Sequence, residues 1–262
     1  MKKSELNLIV GGDSLIGSAL ADYWSEMNNL FHSSTRNKGK VSINRPLIDL
    51  SDIKTFRQLD KYSSVVICAG ITSVEECEKN PEKAAEINVN STIDLIKKLS
   101  LSKTHIVFLS TNHVFDGQNQ LERPDSVRNP ITQYGRQKAK VEVFIEKLPN
   151  TSIIRLTKVI HQDLPLIKDW IIKLSNRDSI YAFIDMMLSP IKIEEVIKKI
   201  NLIVQKRSKG IFQISGRKDI SYYELAQQLA KENGYSPLMV KKDSWKNKLN
   251  FTPPNFTNLY RV

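Results

Sequence analysis

The sequence predicts an α/β protein in which a doubly wound parallel sheet carries a smaller C-terminal unit. Three stretches make that prediction. Leu6 to Val10 reads as a short buried strand, is broken by Gly11-Gly12, and leads into an apolar helix over Leu15 to Met27. Ser64 to Gly70 is a continuous apolar run stopped by glycine, as a parallel strand buried on both faces should be. Thr104 to Ser110 repeats that run and is followed by a helical segment over Thr132 to Leu148, so βα units succeed one another along the chain.

At 262 residues the chain suits one large domain, or one with a small appendage. A 40% hydrophobic and 26% charged composition is that of a globular protein able to bury a core. Cys68 and Cys77 make neither a disulfide framework nor a zinc site, and His32, His105, His113 and His161 lack ligand spacing, so no metal is expected. The opening Met1-Lys2-Lys3-Ser4-Glu5 leads into too short an apolar run for a signal peptide, and no run is long enough to span a bilayer. A cytoplasmic protein without a membrane partner is the expectation. The formal net charge of +11 invites a nucleic-acid reading, but the lysines are dispersed, often beside acidic residues, and no recognition motif appears. The charge instead suits a solvated surface whose field favours anionic small molecules such as nucleotides.

Taken in order, the first strand, its glycine turn and the following helix form the layout that brings backbone N–H groups and a helix N-terminus up to a pyrophosphate. The second strand is expected at Leu30 to Ser34. No Asp or Glu lies between Glu26 and Asp49 to take a ribose 2′-hydroxyl; Arg36 stands at the strand end instead, where a guanidinium would pair with a 2′-phosphate. A surface arginine in the basic loop Arg36 to Lys40 is the other reading. Pro46 to Asp49 follows as a brief strand, with Ser51 or Asp52 as a helix cap. A long helix is expected over Pro81 to Leu99. The strand at Thr104 to Ser110 then delivers Ser110 to Gly117 to its carboxyl end, where an open α/β sheet binds ligands.

Of the eight tyrosines, only Tyr134 has a lysine four positions on, Lys138. On a helix the two share a face. An ammonium there is expected to pull the phenol's pKa down from about 10, making Tyr134 a proton donor and acceptor toward a substrate carbonyl. Taken alone, the spacing more often describes a core aromatic with a snorkelling lysine; the placement of Thr111 and Tyr134 on the same side of the sheet favours chemistry.

Gly11 to Gly17, Ser110 to Gly117, Pro130 to Lys138, Ser189-Pro190, and Gly210 to Gly216 with Ile220 to Ala226 together resemble the extended short-chain dehydrogenases/reductases, closest to the dTDP-4-dehydrorhamnose reductase group of nucleotide-sugar reductases. The similarity covers nearly the whole chain. It implies a Rossmann-type cofactor domain over residues 1–157, with a return segment at about 186–215, and a smaller substrate-binding domain mainly within 158–262. Thr111, Tyr134 and Lys138 fall on the family's catalytic triad. The resemblance places the cofactor on Gly11, Asp13, Ser14, Leu15, Ile16, Gly17, Arg36, Asp49, Leu50, Cys68, Ala69 and Gly70, with Tyr134 and Lys138. It gives Thr72, Asn112 and His113 to the substrate, and Asn88 a supporting place behind the site. Ser14 stands at a family glycine, Asn112 and His113 at a family Asp and Tyr, and the tail Thr252 to Leu259 lacks the arginine of the related R-P-x-N-x-x-L pattern.

The activity implied is reduction of a keto group on a nucleotide-activated sugar, of the 6-deoxy-4-keto kind, for polysaccharide or glycan precursors. NADP(H) is preferred, with NAD(H) as the other cofactor. A non-catalytic NADP-binding regulatory subunit, like the β subunit of methionine adenosyltransferase, and a sugar-nucleotide epimerase are the alternatives. The group also admits a homodimer.

Overall fold

The computed structural model describes residues 6–246 and 248–261; the Met1–Glu5 opening weighed above as a leader lies outside the described residues. Strand β1 (Asn7–Val10) runs through the turn at Gly11 to Ser14 into α1 (Leu15–Glu26), and β2 (Phe31–Ser33) follows. Gly11 has a φ of +89°, and a Cβ on it would press against the Ala69 backbone, so the ends of the first and third strands approach as only glycine permits.

The brief strand expected after Pro46 is reduced to one parallel bridge between Thr35 and Leu47. The Thr35 N–H donates to the Pro46 carbonyl and the Ile48 N–H to the Thr35 carbonyl, but Pro46 has no N–H with which to extend the ladder. The expected capped helix is a single 3₁₀ turn, Ile53–Thr55, whose Lys54 N–H donates to the Asp52 carboxylate at 3.0 Å.

β3 (Ser64–Ile67) is buried throughout. A helix not anticipated from the sequence, α2 (Val74–Lys79), follows, capped by the Ser73 hydroxyl. The single helix expected over Pro81 to Leu99 is divided into α3 (Pro81–Ala85), a π-helical turn (Glu86–Ser91) and α4 (Thr92–Ser100). The Thr92 hydroxyl donates to the Ile87 carbonyl five residues back, supporting the wider turn. β4 (His105–Thr111) is buried along all of its length, and α5 (Gln133–Ile145) starts at Thr132, whose hydroxyl accepts from the Gly135 N–H.

β5 (Thr151–Leu156), β6 (Lys158–Ile160), α6 (Pro165–Ser175), β7 (Ile180–Phe183), β8 (Met187–Leu188) and β9 (Pro190–Lys192) come next. Then α7 (Ile193–Lys206) and β10 (Gly210–Ile214) return to the main sheet, before β11 (Ile220–Ser221), α8 (Tyr222–Glu232) and β12 (Val240–Asp243). α7 buries Ile193, Val196, Ile197, Ile200, Ile203 and Val204, a 3.6-residue stripe. Each such side chain contributes roughly 1.5–3 kcal/mol on burial. That exceeds the ~0.7 kcal/mol at most that a β-branched residue costs in a helix.

The main sheet has six parallel strands in the order β10-β5-β4-β3-β1-β2. The order reverses between β1 and β3, and such a switch point opens a crevice at the strands' carboxyl ends. One face packs on α4 and α5 through Leu95, Ile96, Leu99, Val141 and Ile145; the other packs on α1 and α7 through Leu20, Trp24, Val196 and Ile200. A separate core joins α6, β7, β8, β11, α8 and β12 around Ile167, Trp170, Leu188, Leu225 and Val240. Of the C-terminal aromatics, Trp170 belongs to that core, whereas Tyr181 is exposed. Among the described residues no helix is long and apolar enough to cross a membrane.

Candidate functional site

At the carboxyl end of β1, Ser14 caps α1. Its hydroxyl donates to the Gly11 carbonyl at 2.7 Å and accepts from the Gly17 N–H at 3.1 Å. The first-turn N–H groups of Leu15 and Ile16 have no acceptor within the helix. No acidic residue occupies that turn, so its positive end is uncompensated. This cradle suits a pyrophosphate.

Asp13 turns away from the cradle toward the end of β2. Its carboxylate accepts from the Thr35 hydroxyl and from Arg45, each at 2.5 Å, and lies 3.8 Å from the Lys40 ammonium. Burial acts to raise its pKa, but the Thr35 hydroxyl and Arg45 together hold it below the usual carboxylate range. Asp13 therefore gathers cations at the end of β2. Arg36 is exposed beside this cluster. Arg45 was not singled out in the sequence; nothing local marks it, since it reaches Asp13 across 32 residues.

Asp49 is half-buried, and one carboxylate oxygen accepts from both the N–H and the hydroxyl of Ser51. Leu50 packs in the core under the sheet. Cys68, Ala69 and Gly70 line the end of β3; burial pushes the Cys68 thiol up to about 12 against the pull of Lys138, leaving it inert. Thr72 is exposed on the loop that follows. From the π-helical turn, Asn88 accepts from the Ile71 N–H at 2.8 Å and donates to the Ile71 carbonyl and to Gln137 on α5. It thus fixes the loop after β3 against α5.

Thr111, the last residue of β4, and Tyr134 and Lys138 on α5 meet at the same end of the sheet, each less than a tenth exposed. Gly135 lets them meet: a Cβ there would collide with the His113 carbonyl, so the loop after β4 rests directly on α5. The Lys138 ammonium donates to the Leu109 carbonyl at 2.9 Å and lies 6.0 Å from the centroid of the Tyr134 ring.

The expected lowering of the tyrosine's pKa is not found. Burial pushes the phenol above its ordinary value, Cys77 adds to the rise, and only Thr111 acts in the other direction. With the ammonium turned to a backbone carbonyl, desolvation decides. The same burial lowers Lys138 to about 8, although Cys68, Glu142 and Cys77 each favour its charge. Tyr134 is thus a neutral phenol at pH 7 with a proton to give.

Asn112 is buried, and the His113 ring stands edge-on to Tyr134 with centroids 5.9 Å apart. Burial, then the Lys158 ammonium, takes His113 down to about 4, so the imidazole is neutral near pH 7. The tail closes this side: the Phe256 N–H donates to the Gly117 carbonyl, and Leu259 packs with Val114, Phe115 and Ala139. Among the described residues no group of three or more His, Cys, Asp or Glu could hold a metal ion.

Residues 6–249 match the model described as the RmlD substrate binding domain. The chain belongs to that family. A probable low-salt glycan biosynthesis reductase, Agl14, of Haloferax volcanii is 24% identical over 89% of this chain and 82% of its own length. The methionine adenosyltransferase 2 subunit beta of Bos taurus is 22% identical over 85% of this chain and 70% of its own. The crystal structure of dTDP-4-dehydrorhamnose reductase from Bacillus anthracis in complex with NADP is 20% identical and shares the fold, with a TM-score of 0.88 over 99% of this chain and 91% of that one.

One feature of this RmlD-family chain escaped the sequence reading. Directly below Thr111 and Lys138, Glu142 and Arg155 are fully buried. The Glu142 carboxylate accepts from the Ser110 hydroxyl at 2.5 Å, from Arg155 at 2.8 Å and from Arg128 at 2.5 Å. Its sequence signal is faint: Tyr134, Lys138 and Glu142 recur every four residues, which puts all three on one face of α5.

Proposed function

We propose that the protein is an NADPH-dependent reductase of a keto group on a nucleotide-activated sugar, of the 6-deoxy-4-keto kind, serving polysaccharide or glycan precursor synthesis. The observation that carries this reading is the meeting of Thr111, Tyr134 and Lys138 beside a switch-point crevice whose glycine turn suits a dinucleotide. Membership of the RmlD family and the names of the reductase relatives support it.

The residues present fit the cofactor. The N–H groups of Leu15 and Ile16 would meet the pyrophosphate, and Arg36, with Lys40 and Arg45 close by, would meet a 2′-phosphate. When bound, NADPH supplies a hydride to the carbonyl carbon. Thr111 orients the carbonyl oxygen by a hydrogen bond. Tyr134 gives its phenolic proton to that oxygen as the C–H bond forms, leaving an alcohol, and the phenolate recovers a proton from solvent. The Lys138 ammonium, held here by the Leu109 carbonyl, would hold the ribose hydroxyls of the bound cofactor and would stabilise the phenolate. His113 and Asn112 line the sugar side as neutral groups. A cytoplasmic location and a homodimer complete this reading.

The test is to mix the protein with NADPH and a panel of dTDP- and UDP-linked 4-keto sugars while following absorbance at the nicotinamide band. Turnover on at least one keto sugar is expected. NADP binding without turnover across the panel would favour the alternative of a non-catalytic NADP-binding subunit, the bovine relative being named a methionine adenosyltransferase 2 subunit beta.

A further inference from the structure

The charges beneath the site have no part in proton or hydride transfer, yet they are arranged around it. Ser110 is the residue before Thr111, and Glu142 lies one helical turn beyond Lys138 on the same face of α5. A single bond of 2.5 Å from the Ser110 hydroxyl to Glu142 therefore joins the strand end that carries Thr111 to the helix that carries Tyr134 and Lys138. Arg155 on β5 grips the same carboxylate through Nε and Nη2, donates through Nη1 to the Pro124 carbonyl, and stacks over Phe115, with centre to ring centroid 4.9 Å. Arg128 closes the other side, bonded to Glu142 and to Glu146. Glu142 thus has all its contacts taken, and it cannot move without displacing three chain segments.

We propose that Glu142 is a positioning residue of the reductase site, whose buried carboxylate sets the distance between Thr111 and the Tyr134–Lys138 pair by holding Ser110 against α5. A carbonyl that must touch both the Thr111 hydroxyl and the Tyr134 phenol tolerates little error in that distance; a misplacement of about 1 Å can cost 10²-fold in rate. The carboxylate is also the nearest acidic charge on α5 to Lys138. The other groups whose charge acts on that ammonium are the thiols of Cys68 and Cys77, and the Phe108 ring lies against it at 4.5 Å. Both thiols are held neutral by burial. The Glu142 carboxylate thus favours the charged form of Lys138, against the burial that opposes it.

The inference rests on the reductase reading, and its test separates the two. Ser110→Ala removes only the Ser110–Glu142 bond and leaves the Glu142–Arg155 pair and the Lys138–Leu109 bond intact. It is expected to lower kcat about 10- to 100-fold on the keto sugar while NADPH affinity stays near wild type and the melting temperature falls only by the loss of one hydrogen bond to a charged group, and Ser110→Thr should restore most of the rate. Glu142→Gln keeps the shape and removes the charge. The 13Cε resonance of Lys138, followed by NMR without any substrate, should then titrate at lower pH than in wild type. Wild-type kcat in Ser110→Ala, or an unmoved Lys138 titration in folded Glu142→Gln, would overturn the proposal. If no keto sugar is turned over, the Lys138 titration still decides the carboxylate's influence, and only the reductase reading has failed.

Discussion

Two groups of charges mark the carboxyl edge of the sheet, and they differ in how water reaches them. At the β2 end, Asp13 and Arg45 keep about a third of their side-chain surface in solvent (36% and 35%), and Lys40 more than half. Beneath Thr111, Glu142 and Arg155 have none. Exposed pairs contribute about 0–1 kcal/mol and are screened by salt, so Arg45 and Lys40 can be shared with an arriving phosphate at small cost. A buried pair cannot be exchanged, because either partner left alone is an uncompensated charge in a low dielectric. On the function proposed, the first cluster suits capture and the second suits holding geometry.

The largest effect is expected above the buried cluster, at Tyr134, on the same face of α5 as Glu142. Tyr134→Phe keeps the ring beside Cys77 and Ala84 but removes the proton that reduction needs. The rate on a keto sugar should fall about 10²–10⁴-fold, the range for general acid–base catalysis, with cofactor affinity unchanged in a fluorescence titration. Full activity would return Tyr134 to the role of a core aromatic.

The buried cluster comes next. Arg155→Ala leaves Glu142 with Arg128 as its only cationic partner and should cost about 3–5 kcal/mol in urea or guanidinium unfolding. Asp13→Ala, at the exposed cluster, should cost no more than about 1 kcal/mol. Equal losses would erase the distinction between capture and framework.

The same contrast governs cofactor choice. Arg36→Ala should weaken NADPH by about 1.5–3 kcal/mol, the worth of a hydrogen bond to a charged group, and leave NADH unchanged. Arg45→Ala should do less, since that guanidinium is already engaged by Asp13. Equal affinity of the unsubstituted protein for the two cofactors would remove the role given to Arg36.

How far the sequence carried the reader follows the range of each interaction. The parallel order, the glycine turn and the Tyr134–Lys138 face arise from local patterns: apolar runs, a Gly11 that must approach Ala69, an i,i+4 spacing. The family motifs place Thr111 beside them. What stayed hidden depends on partners distant in the chain. Arg155 to Gln213, Asp13 to Arg45, and Asn88 to Gln137 each join segments that no periodicity links. The phenol's pKa departs from the sequence expectation for the same reason. The spacing puts an ammonium near Tyr134, but only the fold shows that ammonium spent on the Leu109 carbonyl and the phenol shut away from water.

A smaller effect, set by pH, tests the sugar side of the site. His113 ionises near 4 in the folded protein against about 6.5 unfolded, so the unfolded chain binds the extra proton throughout that window. Its contribution to stability is complete above about 6.5 and is lost as pH falls toward 4. After allowing for the ring's partial contact with solvent, this amounts to roughly 1–2 kcal/mol. In His113→Asn the melting temperature should decline less steeply between pH 6.5 and 4 than in the wild type. Parallel declines would show that the imidazole is not held neutral.

The smallest expected effect sits at the exposed end, in the turn that would receive the pyrophosphate. Ser14 occupies a position where the family pattern has a glycine. In the fold its hydroxyl is already committed, donating to the Gly11 carbonyl and accepting from the Gly17 N–H, so it serves the turn and the start of α1. Ser14→Gly should therefore cost only a few tenths of a kcal/mol of stability, as glycine is a tolerable N-cap, whereas Ser14→Ala should cost about 1 kcal/mol. NADPH affinity should hold or improve in the glycine variant, because the phosphate approaches backbone N–H groups that the change leaves in place. A clear loss of affinity in Ser14→Gly, with stability preserved, would show the hydroxyl leaving its cap to bind phosphate. The capture end would then include one side chain that trades a structural bond for a ligand, as Arg45 and Lys40 are expected to do.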